Sequence, residues 1–198
     1  MSKLAIVGAS GLVGRNLLEQ LQKREFKVDE IFLLGKKSAG SMINFLGKDC
    51  TVEDIDNFDF KRPDYVILSA GSDVARDYAN KFIEAGCKVI DMSSFFRYED
   101  DVPLIIPEIN GNIITEKTTL VANPNCSTAQ LLMILDHIHK EFVIESVMVT
   151  TFQAVSGAGE QGIKELEDQS QSMSAVSNIF SKTIAGNVIP QCDKFLDN

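Results

Sequence analysis

The residues most suited to chemistry stand in the run Asn123-Pro124-Asn125-Cys126-Ser127-Thr128. Pro124 biases Asn123 away from helix, and Asn125, Ser127 and Thr128 are candidate N-caps, so Cys126 is expected at or beside a helix N-terminus. The positive end of a helix dipole favours the thiolate, the attacking form of cysteine. Cys50, Cys87 and Cys192 have neighbours that offer no activating group, and read as inert thiols. No C-x-x-C pair occurs, so neither a zinc site nor a disulfide framework is expected. His137 and His139 lie two apart on an expected helix, on nearly opposite faces, which excludes an i, i+4 metal pair. Neither has the position of a catalytic base, and His139 with Lys140 suits a helix C-terminus.

A second constellation opens the chain. Gly8-Ala9-Ser10-Gly11-Leu12-Val13-Gly14 follows an apolar strand, Lys3 to Val7, and opens a helix with Leu17, Leu18 and Leu21 at helical spacing. Glycines there permit a tight turn and close backbone approach, so a dinucleotide pyrophosphate can sit on the free amides of the helix N-terminus. The spacing is G-x-x-G-x-x-G rather than G-x-G-x-x-G, so the strand-turn-helix context carries the reading. A second strand, Ile31 to Leu34, runs into Gly35-Lys36-Lys37-Ser38. An NAD site keeps an acid at this place for the ribose 2′-hydroxyl; two lysines and a serine suit a 2′-phosphate instead, so NADP is the expected cofactor.

The elements that must hold these residues alternate. Tyr65 to Leu68 reads as a buried strand, Ser72 to Ala85 as a helix stopped by Gly86, Lys88 to Asp91 as a strand, Leu120 to Ala122 as a further short strand, and Ser127 to His139 as a helix with a Leu131, Leu132, Leu135 stripe. Strands separated by helices imply a mostly parallel α/β sheet of Rossmann type with helices on both faces. Met42 to Val52 could fold back at Leu46-Gly47-Lys48, and Ser93 to Thr119 reads as a long irregular connection. Glu145 to Phe152 alternates apolar and polar residues, as a half-buried strand of an antiparallel sheet does. That change of strand type predicts a nucleotide domain over 1–125 and, over 126–198, a second domain of α+β type with a mostly antiparallel sheet.

Composition narrows the function classes. Of 198 residues, 44% are apolar and 24% charged, the balance of a globular protein. Lys plus Arg is 19 against Asp plus Glu at 28, a net charge of −9 that repels phosphate backbones, so nucleic acid is not an expected partner. The longest uninterrupted apolar run is Leu131 to Leu135, far short of the roughly 20 residues of a membrane helix. The first residues enter a strand pattern without the features of a signal peptide, so a cytoplasmic location is expected.

Taken together these motifs closely resemble the aspartate-β-semialdehyde dehydrogenase family. The resemblance rests on Gly8 to Gly14, Lys37-Ser38-Ala39-Gly40, Ser69-Ala70-Gly71, Val89 to Ser94 with Phe96-Arg97, Val102-Pro103-Leu104 with Pro107 to Asn110, Asn123 to Thr128, Gln153 to Gly159, and Asn187-Val188-Ile189-Pro190, in that order. Asn-Pro-Asn-Cys-Ser-Thr separates it from the related N-acetyl-γ-glutamyl-phosphate reductases, which look like Asn-Pro-Gly-Cys-Tyr there. The resemblance implies NADPH-dependent reductive dephosphorylation of aspartyl phosphate to aspartate semialdehyde, toward lysine, methionine and threonine. It further implies Cys126 as the nucleophile, Gln153 and Arg97 as binders of the substrate and its phosphate, and Asn125 beside the acyl oxygen. Ser10, Gly11, Leu12, Val13, Lys37, Ser38, Ser156 and Gly157 would contact NADP. A homodimer or homotetramer is implied for the whole enzyme. From the residues alone, Arg97 could equally pair with Glu99, Asp100 or Asp101. A non-catalytic NADP-binding module and another acyl-phosphate reductase are the alternative readings.

The resemblance departs at one place. Family enzymes continue well past the Asn-x-Ile-Pro motif and there supply a histidine base, further substrate-binding residues and a phosphate-binding lysine. The expectation is therefore an N-terminal portion of such an enzyme that turns over poorly or not at all by itself.

Overall fold

The structure, a computed structural model, describes residues 2–172 and 176–191; Cys192 lies outside them. In chain order the elements are β1 (Lys3–Val7), α1 (Leu12–Lys23), β2 (Glu30–Gly35), β3 (Met42–Phe45), β4 (Lys48–Asp54), β5 (Tyr65–Leu68), α2 (Ser72–Glu84), β6 (Lys88–Asp91), α3 (Pro107–Asn110), β7 (Leu120–Ala122), α4 (Cys126–Phe142) and α5 (Gly159–Gln171). They divide between two compact units, Met1–Val147 and Met148–Asn198.

In the first unit the strands form one seven-stranded sheet of order β3-β4-β2-β1-β5-β6-β7. Every pairing is parallel except β3 with β4. A central parallel strand is buried on both faces, and β1 shows why its sequence is continuously apolar. Leu4 and Ile6 pack with Leu33, Val52 and the α1 residue Leu18. Ala5 and Val7, one residue out of phase, pack with Leu34, Val66, Leu68 and the α2 residues Ala75, Tyr78, Ala79 and Phe82. Helices thus cover both faces, as the alternating pattern predicts.

The possible turn at Leu46 is a hairpin: Leu46 and Gly47 both take positive φ, 52° and 76°, the pair that a two-residue I′ connection needs. The connection from Ser93 to Thr119 is irregular apart from α3 and a 3₁₀ turn at Gly111–Ile113. Its backbone continues the sheet briefly, where Ile105 N–H donates to the Ala122 carbonyl and Ala122 N–H to that of Pro103.

Two expectations change. The helix after Asn125 is longer than Ser127 to His139 and has no buried residue; Leu132 is exposed and Leu131 and Leu135 are only half-buried. Glu145 to Phe152 has no regular secondary structure. Alternation describes a strand's faces but cannot supply a hydrogen-bonding neighbour, and no pairing partner for this segment exists among the described residues.

The second unit is built around α5. Its buried Glu165 accepts from the amides of Ile179 (2.6 Å), Asn178 (2.7 Å) and Phe180 (3.2 Å). Gln169, one turn on, accepts from the amides of Ile184 (2.7 Å) and Ala185 (3.2 Å) and donates to Ser177 (3.1 Å). Two helical side chains therefore template the returning loop. Burial pushes the Glu165 carboxyl up, but the three amides together outweigh it and hold it below the ordinary glutamate value. Asp168 to Gln171 closes α5.

Candidate functional site

The chain leaves β1 toward β2 on one side and later returns beside β1 as β5 on the other. A reversal of strand order opens a crevice at the C-terminal ends of the strands, where ligands of this architecture bind. The turns after β1, β2, β5, β6 and β7 all lie along that edge.

The glycine turn is held by Gly8 N–H to the Leu34 carbonyl (2.8 Å) and Gly11 N–H to the Gly8 carbonyl (3.0 Å). Gly8, at φ 85°, also sits against the next loop, where a Cβ would stand 2.9 Å from Ala70 Cβ. A Cβ on Gly14 would lie 2.2 Å from the Gly8 carbonyl oxygen, so the first turn of α1 can approach the strand end only with glycine there. The N-cap, Gly11, has no side chain, and no side-chain oxygen caps α1. Of the amides that follow Ser10, that of Gly11 closes the turn onto Gly8, while those of Leu12 and Val13 stand at a helix N-terminus with its positive dipole, an arrangement that fits a dinucleotide pyrophosphate.

At the end of β2 the lysine pair divides. Lys36 Nζ lies 2.8 Å from Asp56 Oδ2, and the Tyr78 hydroxyl donates to Asp56 Oδ1. The bond to Lys36, then that to Tyr78, holds the Asp56 carboxyl below its ordinary value. Conversely Asp56 raises Lys36, and it raises the Tyr78 phenol together with burial. Lys37 is exposed and makes no ion pair or hydrogen bond among the described residues, so its charge is available to a 2′-phosphate. Ser38 stands against Gly35, and its carbonyl accepts from Ser41 Oγ at 2.7 Å. Sequence reasoning missed Asp56 and Tyr78; the one local signal was Asp54-Ile55-Asp56-Asn57, a capped turn just after a strand.

Cys126 is the first residue of α4. Asn125 is the N-cap, its Oδ1 accepting from Ser127 N–H at 2.9 Å, with Cys126 Sγ 3.9 Å from the same oxygen. Asn125 Nδ2 remains a donor with no partner among the described residues. Cys126 is exposed. By contrast Cys87 is buried, donates to the carbonyls of Pro63 (3.1 Å) and Phe60 (3.2 Å), and is pushed up to about 11 by burial and then by Asp64. That is the inert thiol expected there.

Arg97 is tied to the turn that presents Cys126. Its Nε donates to the Asn123 carbonyl (2.9 Å) and Nη2 to that of Met92 (3.4 Å). Asn123 N–H in turn donates to the Asp91 carbonyl (2.8 Å), and the buried Asp91 carboxylate accepts from Ser93 N–H and Oγ. No ion pair joins Arg97 to Glu99, Asp100 or Asp101 among the described residues, so the salt-bridge alternative is not realised. His137 and His139 lie eleven and thirteen residues along α4 from Cys126, about 16 and 20 Å at 1.5 Å per residue. His139 and Lys140 lie in the last turn of α4, the position expected of them, and His139 Nδ1 accepts from Ile144 N–H at 3.1 Å.

Gln153, Ser156 and Gly157 belong to the second unit. Ser156 and Gly157 form a 3₁₀ turn, Val155–Ala158, in which Gly157 N–H donates to the Ala154 carbonyl. Gln153 lines a cavity of about 490 Å³ with Ile184, Asn187 and Val188. Among the described residues no three His, Cys, Asp or Glu side chains gather to hold a metal, and no helix is long and apolar enough to cross a membrane.

Residues 3–117 match the semialdehyde dehydrogenase NAD-binding domain, and residues 135–198 the semialdehyde dehydrogenase dimerisation domain. An aspartate-semialdehyde dehydrogenase of Vibrio mimicus is 46% identical over 98% of this chain and 64% of its own length. One from Shewanella violacea is 43% identical over 98% of this chain and 60% of its own. The crystal structure of aspartate semialdehyde dehydrogenase II of Vibrio cholerae complexed with ASA superposes with a TM-score of 0.96 at 44% identity, over 100% of this chain and 61% of that one. The chain thus spans 60–64% of the length of these relatives.

Proposed function

The chain belongs to the semialdehyde dehydrogenase family, and from that premise we propose that it carries the nucleotide-binding and nucleophile-bearing part of an NADP-dependent aspartate-semialdehyde dehydrogenase. Residues 1–125 are the NADP domain, and 126–198 begin the catalytic and dimerisation domain of a cytoplasmic homodimer or homotetramer. The observation that carries the reading is Cys126 at the N-terminus of α4, on the same sheet edge as the uncapped N-terminus of α1.

In this reading the Cys126 thiolate attacks the acyl carbon of aspartyl phosphate. A carbon–sulfur bond forms, the carbon–oxygen bond to phosphate breaks, and phosphate leaves with the bonding pair. Arg97, already fixed by two carbonyls, presents its remaining N–H groups to that phosphate. Asn125 Nδ2 donates to the acyl oxygen as charge develops there. Gln153 holds the substrate. Gly11, Leu12 and Val13, with Ser10, Ser156 and Gly157, would hold NADP, and Lys37 with Ser38 would take its 2′-phosphate. When bound, the cofactor supplies the hydride that turns the thioester into the aldehyde.

The test is acyl trapping. Incubated with aspartyl phosphate without nucleotide, the chain should gain one aspartyl mass on the Cys126 peptide, and Cys126→Ser should gain none. Turnover with aspartate semialdehyde, phosphate and NADP is expected to be poor or absent. Absence of the adduct in a folded chain that binds NADP would favour a non-catalytic nucleotide module. An adduct formed with acetylglutamyl phosphate but not with aspartyl phosphate would replace the substrate.

A further inference from the structure

An NAD site keeps its acid at the end of the second strand, and β2 itself has none there. The fold brings one from elsewhere. β2 and β4 pair in parallel with Gly35 opposite Asp54, so the chain after β4 emerges beside the Lys36-Lys37-Ser38 turn. Three acids arrive with it, and each is answered. Glu53 pairs with Arg62 at 2.7 Å, and Asp54 caps the 3₁₀ turn Ile55–Asn57 by accepting from Asp56 N–H and Asn57 Nδ2. Asp56 is answered by Lys36 and by the buried Tyr78 of α2.

We propose that Lys36 is a specificity-determining residue that acts through Asp56: it cancels a carboxylate at the end of β2 and so lets Lys37 and Ser38 select NADP over NAD. The inference rests on the NADP reading above and refines it, because it removes Lys36 from the 2′-phosphate ligands and gives it a different task. Lys36 and Lys37 are adjacent, their Cα atoms about 3.8 Å apart. Asp56, 2.8 Å from Lys36 Nζ, is thus held at the residue next to Lys37, and charges there act over a screening length of about 8 Å at physiological ionic strength. An uncancelled carboxylate at that range repels a doubly charged 2′-phosphate and leaves a 2′-hydroxyl almost unaffected. Tyr78, anchored in the core with Phe82 and Ala79, keeps Asp56 on the α2 face of the sheet.

The experiment is a double-mutant cycle read as dissociation constants of the 198-residue chain for NADP and for NAD, by calorimetry, with thermal unfolding to verify each fold. Lys36→Met should weaken NADP roughly three- to tenfold and leave NAD within about twofold. Asp56→Asn should leave NADP equal or tighter. The double variant Lys36→Met/Asp56→Asn should return NADP binding to within about twofold of the unaltered chain, because the charge that Lys36 cancels is gone. Added salt should shrink the Lys36→Met effect. A direct phosphate contact by Lys36 predicts instead that the double variant stays as weak as Lys36→Met, and that result overturns the proposal, as does a Lys36→Met chain with unchanged NADP affinity. If the unaltered chain binds neither nucleotide, the proposed function itself falls; if it binds NADP and Asp56→Asn does not restore the affinity lost in Lys36→Met, only the role of Lys36 falls.

Discussion

The β1–β7 sheet and helix α4 treat their apolar residues in opposite ways. Strand β1 buries Leu4, Ala5, Ile6 and Val7 on two faces, and Phe58, Phe60 and Phe82 stack their edges in one of the two cores. Helix α4, as rich in Leu and Ile, buries no residue: Ile134 is 63% exposed and Phe142 80%. The two regions are comparably apolar, so composition does not separate them. What differs is whether the surrounding chain supplies a second surface. A helix stripe or a strand alternation states only which face needs cover, and burial stabilises only when the cover is present, at about 25 cal/mol per Å².

Truncating a large side chain in each region should give the largest difference. Phe82→Ala should cost about 3–5 kcal/mol in denaturant unfolding, whereas Phe142→Ala should stay within about 0.5 kcal/mol. A large cost at Phe142 would mean that α4 is covered in solution. The thiols offer a second contrast. At pH 8 iodoacetamide should label Cys126 on the folded chain, while Cys87, raised to about 11 and buried, should react at least about 100-fold more slowly until denaturant is added. Peptide mass spectrometry reads both rates. Equal rates would remove the contrast between a presented and a packed sulfur.

A smaller effect is expected at the site turn. Gly14→Ala places a methyl 2.2 Å from the Gly8 carbonyl oxygen, and should cost about 1–3 kcal/mol of stability along with NADP binding. Unchanged NADP affinity in this variant would show that the close approach of α1 to β1 is not what holds the nucleotide. The smallest is in the second unit. Because folding lowers the Glu165 carboxyl, its clasp on residues 178–180 is fully present above the ordinary glutamate value of about 4.3 and is lost as pH falls through the lowered one. The amide proton shifts of Asn178, Ile179 and Phe180 should move together in that acid window, and in Glu165→Gln should not titrate there.

Much of this was legible in the residues. The strand, glycine turn and helix at the start of the chain follow from apolar runs and breakers, which act within a few residues. The same holds for Asn125 as a cap, which put Cys126 at the head of a helix. Hairpin β3–β4 is ambiguous from the residues alone, because the positive φ of Leu46 and Gly47 that closes it is set by the pairing of the two strands. Glu145 to Phe152 misled because alternation is local evidence for a structure that is not local.

The order of strands and helices up to α4, the helix N-terminus behind the glycine turn and the place of Cys126 at the head of a helix all follow from the residues, because periodicity, capping and steric limits on glycine and proline operate over neighbouring residues. Which charges meet depends on how the chain folds back on itself. Arg97 is bound to the Asn123 carbonyl rather than to the acids that follow it in sequence. Lys36 and Lys37, neighbours of one type, are separated into a charge already answered and a charge still available, because the parallel pairing of β2 with β4 carries Asp56 to one of them. Such partners are fixed by strand pairing and core packing across tens of residues, and no spacing along the chain encodes them.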